Sequence, residues 1–549
     1  MQKLSFLTAA FFSLLLLVAC DPEDVIGKKS SSNDLTDYEW DSTNVTDIYL
    51  KETSVVVSGD GASVSGTTVT INHSGDYRVS GTLNNGQIVV NTSGRVKLIL
   101  NNASVTNTTS SPLFVKDAKK TILILPKGTN NSFTDGANYL VTADTLDAAI
   151  YSKDYLALSG AGRLTVNANY DKGIKSTDEL IIQSGNITVN SVGDGIKGKD
   201  YLQVLNGNIT VVSGNDALKS DNEADGLGYI DIQNGTFDIT AAGDGISAQS
   251  TLTVSGGTFN IVTGGGNEAT LGEASAKGMK GAKGVTINGG SFVISSADKC
   301  LGSGNEITLN SGTLSLSSAD KAIHADSTLT VTGQAVVNVT AAHKGLGAHY
   351  INVSGGEITI VAKNDGVKAS KGTDQTTDDG SAINVSGGTL LVTTKKGDGI
   401  DSNGSITMTG GTVVVQGSVT SSDDALVYRG VCNVNGGVLA VAGANLISPS
   451  ASSAQRSVLL QVTSYIQAGG IVNIQDATGT SIVTFMAAKY AYYFLVSSPQ
   501  IANGATCSVY FGGSVSGTSL NGYYPDGVYT TGTLKKSFTV SGIVTSVGI

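Results

Sequence analysis

Between Asp147 and Tyr428 apolar and polar residues alternate in short runs, and no run carries the 3.6-residue apolar period of an amphipathic helix. TLTVSGGTFNIVTGG from Thr251 places Leu252, Val254, Phe259 and Ile261 on one side of two runs, and YINVSGGEITIV from Tyr350 repeats the pattern. Alternation of this length is the mark of a half-buried strand. Glycine pairs between the runs supply turn angles that other residues avoid. A six-residue phrase then follows. It reads DAAIYS at Asp147, DKGIKS at Asp171, GDGIKG at Gly193, NDALKS at Asn215, GDGISA at Gly243 and AKGMKG at Ala276. It continues as DKCLGS at Asp298, DKAIHA at Asp320, HKGLGA at His343, NDGVKA at Asn364, GDGIDS at Gly397 and DDALVY at Asp423. Its fourth residue is always apolar, from Ile150 to Leu426, and successive ones are 21 to 33 residues apart. A recurrence of this size marks a solenoid, with the longer steps as insertions. Three short strands in a coil of about 22 residues, joined without helices, predict an all-β parallel β-helix.

The rest of the chain departs from this period in ways that define its organisation. Lys3, an apolar run from Leu4 to Val18, and LVAC ending at Cys20 form a secretion signal with a lipobox over residues 1–19. This start resembles that of bacterial lipoproteins, which implies cleavage before Cys20 and lipid on its sulfur. Asp21, Glu23 and Asp24 resemble the surface-export tag of Bacteroidota-type lipoproteins. They imply an outer-membrane protein that faces the exterior and touches the membrane through its lipid alone. Residues 20–43 read as a flexible tether, with Trp40 expected to pack on the first coil. Residues 44–146 read as less regular N-terminal coils and a cap, residues 147–447 as the regular repeats, and residues 448–549 as a small C-terminal β domain. That last region is rich in aromatic residues, among them Tyr490, Tyr492, Tyr493 and Phe494. Insertions at Asp221–Gly228, Gly264–Ala276 and Lys371–Ala382 adjoin the phrase and are expected to emerge along one edge or face.

Composition narrows the function. The chain has 34 Lys and Arg against 45 Asp and Glu, a formal net charge of −11, which argues against nucleic acid as a partner. Its four cysteines, Cys20, Cys300, Cys432 and Cys507, have no metal-site or disulfide-framework spacing, and Cys300 occupies a small-residue corner of the phrase. Nothing indicates more than a monomer.

The second residue of the phrase carries the chemistry. In order it is Ala148, Lys172, Asp194, Asp216, Asp244, Lys277, Lys299, Lys321, Lys344, Asp365, Asp398 and Asp424. The fifth adds Lys175, Lys197, Lys219, Lys280 and Lys368. Stacked coils would set like charges about 5 Å apart, where they need compensation by an opposite charge or a cation. Calcium prefers such oxygen donors. The candidate ligands are Asp194, Asp216 and Asp244, with Asp221, Glu223 and Asp225 from the first insertion. A second set is Asp365 and Asp398, with Asp374, Asp378 and Asp379 from the third. An Asp–Lys ladder that satisfies itself at a solvated corner accounts for the same residues. The central lysines Lys277, Lys299, Lys321 and Lys344, with His324, His343 and His349 nearby, form a basic stripe suited to an anionic sugar chain.

The opening TVTINHSGDYRVSGTLNNGQIVVN, LILNNASVTN, LPKGTNNSFTDG, the DGIK-type phrases and the SPSASSAQRS linker resemble a family of secreted bacterial proteins. These are β-helix carbohydrate-binding, calcium-containing proteins related to pectate lyases. The resemblance implies right-handed winding, calcium, and an acidic pectin-like or a cellulose-like polysaccharide partner. Lysine in the middle coils departs from a full row of calcium sites. The main expectation is a surface lipoprotein that binds polysaccharide without cutting it. One alternative is a calcium-dependent polysaccharide lyase. No arginine lies between residues 164 and 428, so its base would be a lysine such as Lys299 or Lys321. Another alternative is an adhesin or structural surface protein.

Overall fold

The computed structural model describes residues 38–140, 144–270, 275–372 and 377–549. Cys20 and Asp374 lie outside the described residues. The chain is an all-β right-handed parallel solenoid that ends in a small antiparallel β region. Each coil carries three strands. A first row contains the phrase and runs from Ala148–Ser152 to Leu426–Tyr428. A second runs from Leu156–Gly160 to Cys432–Val434, and a third from Arg163–Ala168 to Val438–Gly443.

Successive coils pair in parallel with a register that the phrase fixes. Ile150 lies beside Ile174, Ile174 beside Ile196, and Leu301 beside Ile323. All twelve fourth-position residues are buried, none more than 3 % exposed. They belong to one continuous apolar core with the inward residues of the other rows. On the third row Phe237, Phe259 and Phe292 stack along the axis with ring centroids 4.5 and 4.6 Å apart. The turn between second and third rows explains the glycine pairs. Gly257 has φ +112°, and a Cβ there would stand 2.8 Å from the carbonyl oxygen of Gly235 one coil earlier. Glycine fills that column from Gly185 to Gly312, and Ala335 interrupts it one coil later, where the backbone keeps a negative φ.

Both ends leave the parallel pattern. At the start Thr46–Glu52 pairs with Ser54–Ser58, and Ala62–Ser65 with Thr68–Ile71, as antiparallel hairpins. Trp40 does pack against early coils. With Tyr38 it covers outward-facing Ile99, Ile122, Ala157 and Ile181 together with Tyr155 and Tyr201. At the other end Ala491–Ser497 pairs antiparallel with the last third-row strand and with Ser457–Ile466. The edge of the last second-row strand is closed by residues 450–455. Ser450 Oγ and Ser453 Oγ accept the Cys432 and Val434 amides, at 2.9 and 3.0 Å. The terminal β region shares an apolar core with the outward side of the last third-row strands through Val414, Ala440 and Ala442.

The insertions do not all leave from one edge. Two follow the first row, between Leu218–Ser220 and Tyr229–Ile232 and between Val367–Ala369 and Ala382–Val385. The other precedes it, between Thr258–Thr263 and Met279–Gly281. The second and fifth residues of the phrase therefore form a charged face with insertions on both sides, and Asp194, Asp244 and Asp401 are buried in it.

Candidate functional site

The first-row face is a ladder of charge, and most of it neutralises itself. Near its start Asp147 pairs with Lys172 at 3.1 Å and with Lys175 at 2.8 Å. Lys219 lies 2.9 Å from Asp216 and 3.5 Å from Asp194. Asp221, from the first insertion, pairs with Lys197. Asp244 accepts hydrogen bonds from Ser275 Oγ at 2.6 Å and the Lys277 amide at 2.8 Å, with Lys280 Nζ 3.7 Å away. Burial, the largest influence, pushes the Asp216 carboxyl above its ordinary pKa, and Asp244 adds to it against the opposing effect of Lys219. Further along, Asp298 bridges Lys277 and Lys299, both at 2.6 Å, and Lys299 also meets Asp320 at 3.1 Å. Asp365 pairs with Lys344 at 2.9 Å, and Lys368 binds Asp401 and Asn403.

Two places on this face depart from neutrality. One is a hollow of about 320 Å³ lined by Lys277, Lys280, Lys299, Lys321, His324 and Asp326. Its floor stays open because fifth-position residues on either side of His324 are glycines. A Cβ at Gly302 would stand 2.9 Å from Lys277 Cδ, and one at Gly347 would stand 3.0 Å from His324 Nδ1. Lys321 forms no ion pair with any described residue. Burial, with Lys299 and Lys344 reinforcing it and Asp320 opposing it, brings the Lys321 ammonium below its usual pKa. His324 Nε2 is 3.2 Å from Asp326, while its buried Nδ1 has no hydrogen-bond partner among the described residues. Burial and then Lys321 favour the neutral imidazole.

The other is acidic and lies on the last coils. Asp365, Asp398 and Asp424 occupy consecutive second positions, and Asp401 is the fifth residue between them. Asp365 Oδ1 accepts the Asp398 amide at 3.2 Å, and Asp398 Oδ1 accepts that of Asp424 at 2.7 Å. Burial, followed by Asp401, Asp365 and Asp424, pushes the Asp398 carboxyl up to about 7. Asp401 Oδ1 and Asp424 Oδ1 are buried without a hydrogen-bond partner among the described residues.

The sequence-derived residues separate accordingly. Lys277, Lys299 and Lys321 meet in the basic hollow, and Lys344 is the next rung beside Lys321. Asp194, Asp216, Asp221 and Asp244 belong to the paired part of the ladder. Glu223 is exposed, and Asp225 points to solvent with Lys283 3.6 Å away. Asp378 and Asp379 organise their own loop. Asp378 accepts the Gly380 amide at 2.9 Å, and Asp379 accepts those of Lys371 and Ser381 at 2.8 and 2.9 Å. Asp365 and Asp398 are the two candidates brought into the acidic cluster. Among the described residues no group of three or more His, Cys, Asp or Glu side chains is arranged to hold a metal ion. Lys280 stands in the fifth-position column of the ladder but not among the ligand-binding candidates, and Asp401 was missed. Reading that column for its lysines alone passes over its one aspartate.

A sequence model of a family described as carbohydrate-binding domain-containing protein matches residues 65–322 and 318–479. These spans cover more than half of the chain, and the protein belongs to that family. A relative from Acetivibrio thermocellus with the same description is 41% identical over 138 residues, which are 24% of this chain and 48% of that protein. The chain thus spans about half the length of that relative. A solved structure described as the polysaccharide lyase-like protein from C. thermocellum, a gadolinium derivative, is 32% identical. It matches 44% of this chain and 96% of its own, with a TM-score of 0.41.

Proposed function

We propose that the protein binds acidic polysaccharide along its first-row face, with uronate carboxylates seated in the hollow at Lys321. The observation that carries this is an ammonium, that of Lys321, with no ion-pair partner among the described residues, placed among Lys277, Lys280 and Lys299 in an open hollow. A carboxylate there would supply the missing opposite charge and accept several charge-assisted hydrogen bonds. The rungs are about 4.8 Å apart, so successive sugars of an extended chain meet successive coils.

Calcium belongs to this reading as a partner of the acidic coils. Its preference for oxygen donors motivates this, since Asp401 Oδ1 and Asp424 Oδ1 are buried without hydrogen-bond partners among the described residues, and the side chains would have to close around the ion with further donors. When bound it would offset their mutual repulsion and offer open coordination positions to sugar oxygens. A lipid on Cys20 would hold the molecule on the outer membrane, facing outward, through a tether that ends where Trp40 docks.

A second reading is elimination at the same hollow, favoured by the lowered pKa of Lys321 and the neutral imidazole of His324 beside it. Lys321 or His324 would take the proton at C5 of a uronate. The electron pair would form the C4–C5 double bond, and the C4 oxygen would leave with the next sugar.

Calorimetric titration of the full mature chain with oligogalacturonate, with and without calcium, tests both readings. Ultraviolet absorbance of an unsaturated product is followed in parallel. Binding that Lys321→Ala weakens about tenfold, without new absorbance, supports the binder. Absorbance that rises with the wild type and is lost with Lys321→Ala or His324→Gln establishes the lyase. No binding in either condition overturns both.

A further inference from the structure

The terminal β region carries a different kind of surface. Tyr465, near the end of Ser457–Ile466, and Tyr490, just before Ala491–Ser497, lie 25 residues apart in sequence. The antiparallel pairing of those strands sets their rings 5.3 Å apart, and Tyr492 stands edge-on to Tyr465 at 5.9 Å. Tyr465 is 49 % exposed and Tyr490 43 %. Burial does not account for either, as it does for Phe485 and Phe494 in the adjoining core. Both line a largely apolar cleft of about 480 Å³ with Gln467, Ala488, Lys489 and Val419. That volume is in the range of small-ligand sites.

The charge of the cleft narrows its occupant. The Lys489 ammonium donates to the backbone oxygen of Thr394 on the solenoid, and burial brings its pKa down to about 8. Its polar end is thus engaged by the protein. The cleft offers aromatic faces and one carboxamide, Gln467. An anion gains little there, whereas an uncharged pyranose can lay its C–H face on a tyrosine ring and turn its hydroxyls to Gln467 and water.

Position supplies the third argument. Val419 lies on the connection from Thr412–Gln416 to Leu426–Tyr428, which also carries Asp423 and Asp424 of the charged face. The tyrosine cleft is therefore joined to the end of that face by one short segment. We propose that Tyr465, Tyr490 and Gln467 form a second carbohydrate subsite, specific for uncharged pyranose units, next to the face that takes acidic ones. It suits a chain or composite glycan with both kinds of sugar.

The test uses the full mature chain and calorimetric titration with uncharged gluco-, xylo- and manno-oligosaccharides, and separately with oligogalacturonate. Wild type is expected to bind at least one uncharged oligosaccharide. Tyr490→Ala and Tyr465→Ala should each weaken that binding about tenfold, while Tyr490→Phe retains it. Both tyrosines are exposed, so unchanged melting temperatures are expected and are checked. Oligogalacturonate binding should be unaffected by the tyrosine changes and reduced by Lys321→Ala, so the two sites fail or stand separately. No binding of any uncharged oligosaccharide, or equal binding by Tyr490→Ala, overturns the subsite.

Discussion

At the scale of single residues, function concentrates where the ladder fails to balance. Asp398 is the clearest case. Its carboxyl is pushed from an ordinary 3.8 up to about 7, first by burial and then by three neighbouring carboxylates. The fold prefers its protonated form, so its contribution to stability is complete below 3.8 and is lost as the pH rises through about 7. In the presence of chelator, the melting temperature should fall across that window, and Asp398→Asn should flatten the fall. A profile with the same slope in the variant would place the effect elsewhere. Added calcium should raise the melting temperature most at the alkaline end, where the carboxylates are ionised. Lys321 is the opposite imbalance, a cation held below its usual pKa with no carboxylate at ion-pair distance among the described residues. The alternating charges were legible in the sequence. Which of them cancel was not, because Asp298 satisfies two lysines from different coils and Asp401 puts a carboxylate in a fifth position that is lysine in five other coils.

Strands and coils depend on neighbours above and below, since one coil cannot bury its own inner face. Phe259 sits between two stacked rings, and its truncation to Ala would leave a cavity lined by Phe237 and Phe292. A loss of about 3–5 kcal/mol is expected, read as a lower denaturation midpoint. Ile323→Asp, which places a carboxylate in the same core, should unfold or fray the central coils, seen as loss of amide protection around Leu301 and Leu346. Unchanged melting of either variant would count against the stack. This level was the most legible in the sequence. The twelve apolar fourth positions are all inward, and the glycine pairs mark a real column of tight turns. The insertions were harder to place. Two follow a phrase and one precedes it in the sequence, but adjacency to the phrase alone suggested one edge or face, and they occupy both sides of the first row. The tyrosine cleft was legible only as an aromatic-rich region containing Tyr490 and Tyr492, because Tyr465 and Tyr490 meet through antiparallel pairing with no repeat to announce it.

For the whole molecule, the terminal β region is docked by a few specific contacts. The buried Gln416 donates to the backbone oxygens of Met486 at 3.0 Å and Asn521 at 2.9 Å, and accepts the Ala488 amide at 3.0 Å. Asn521 returns a bond to the Val392 oxygen at 3.0 Å. Gln416→Leu would leave these backbone groups unsatisfied, at a cost of about 1–3 kcal/mol each where they stay dry. An earlier, separate calorimetric transition and faster proteolysis after residue 447 are the expected signs. A single unshifted transition would show that apolar contact alone holds the region. The seal on the last coil has a further consequence. An open solenoid end is a row of unpaired amides and carbonyls, on which the first coil of another copy could continue the winding. Ser450 and Ser453 cap those amides with hydroxyls, and the adjoining strand runs in the opposite direction. A head-to-tail filament needs both ends receptive, so closing this one keeps copies at high concentration from polymerising into fibres.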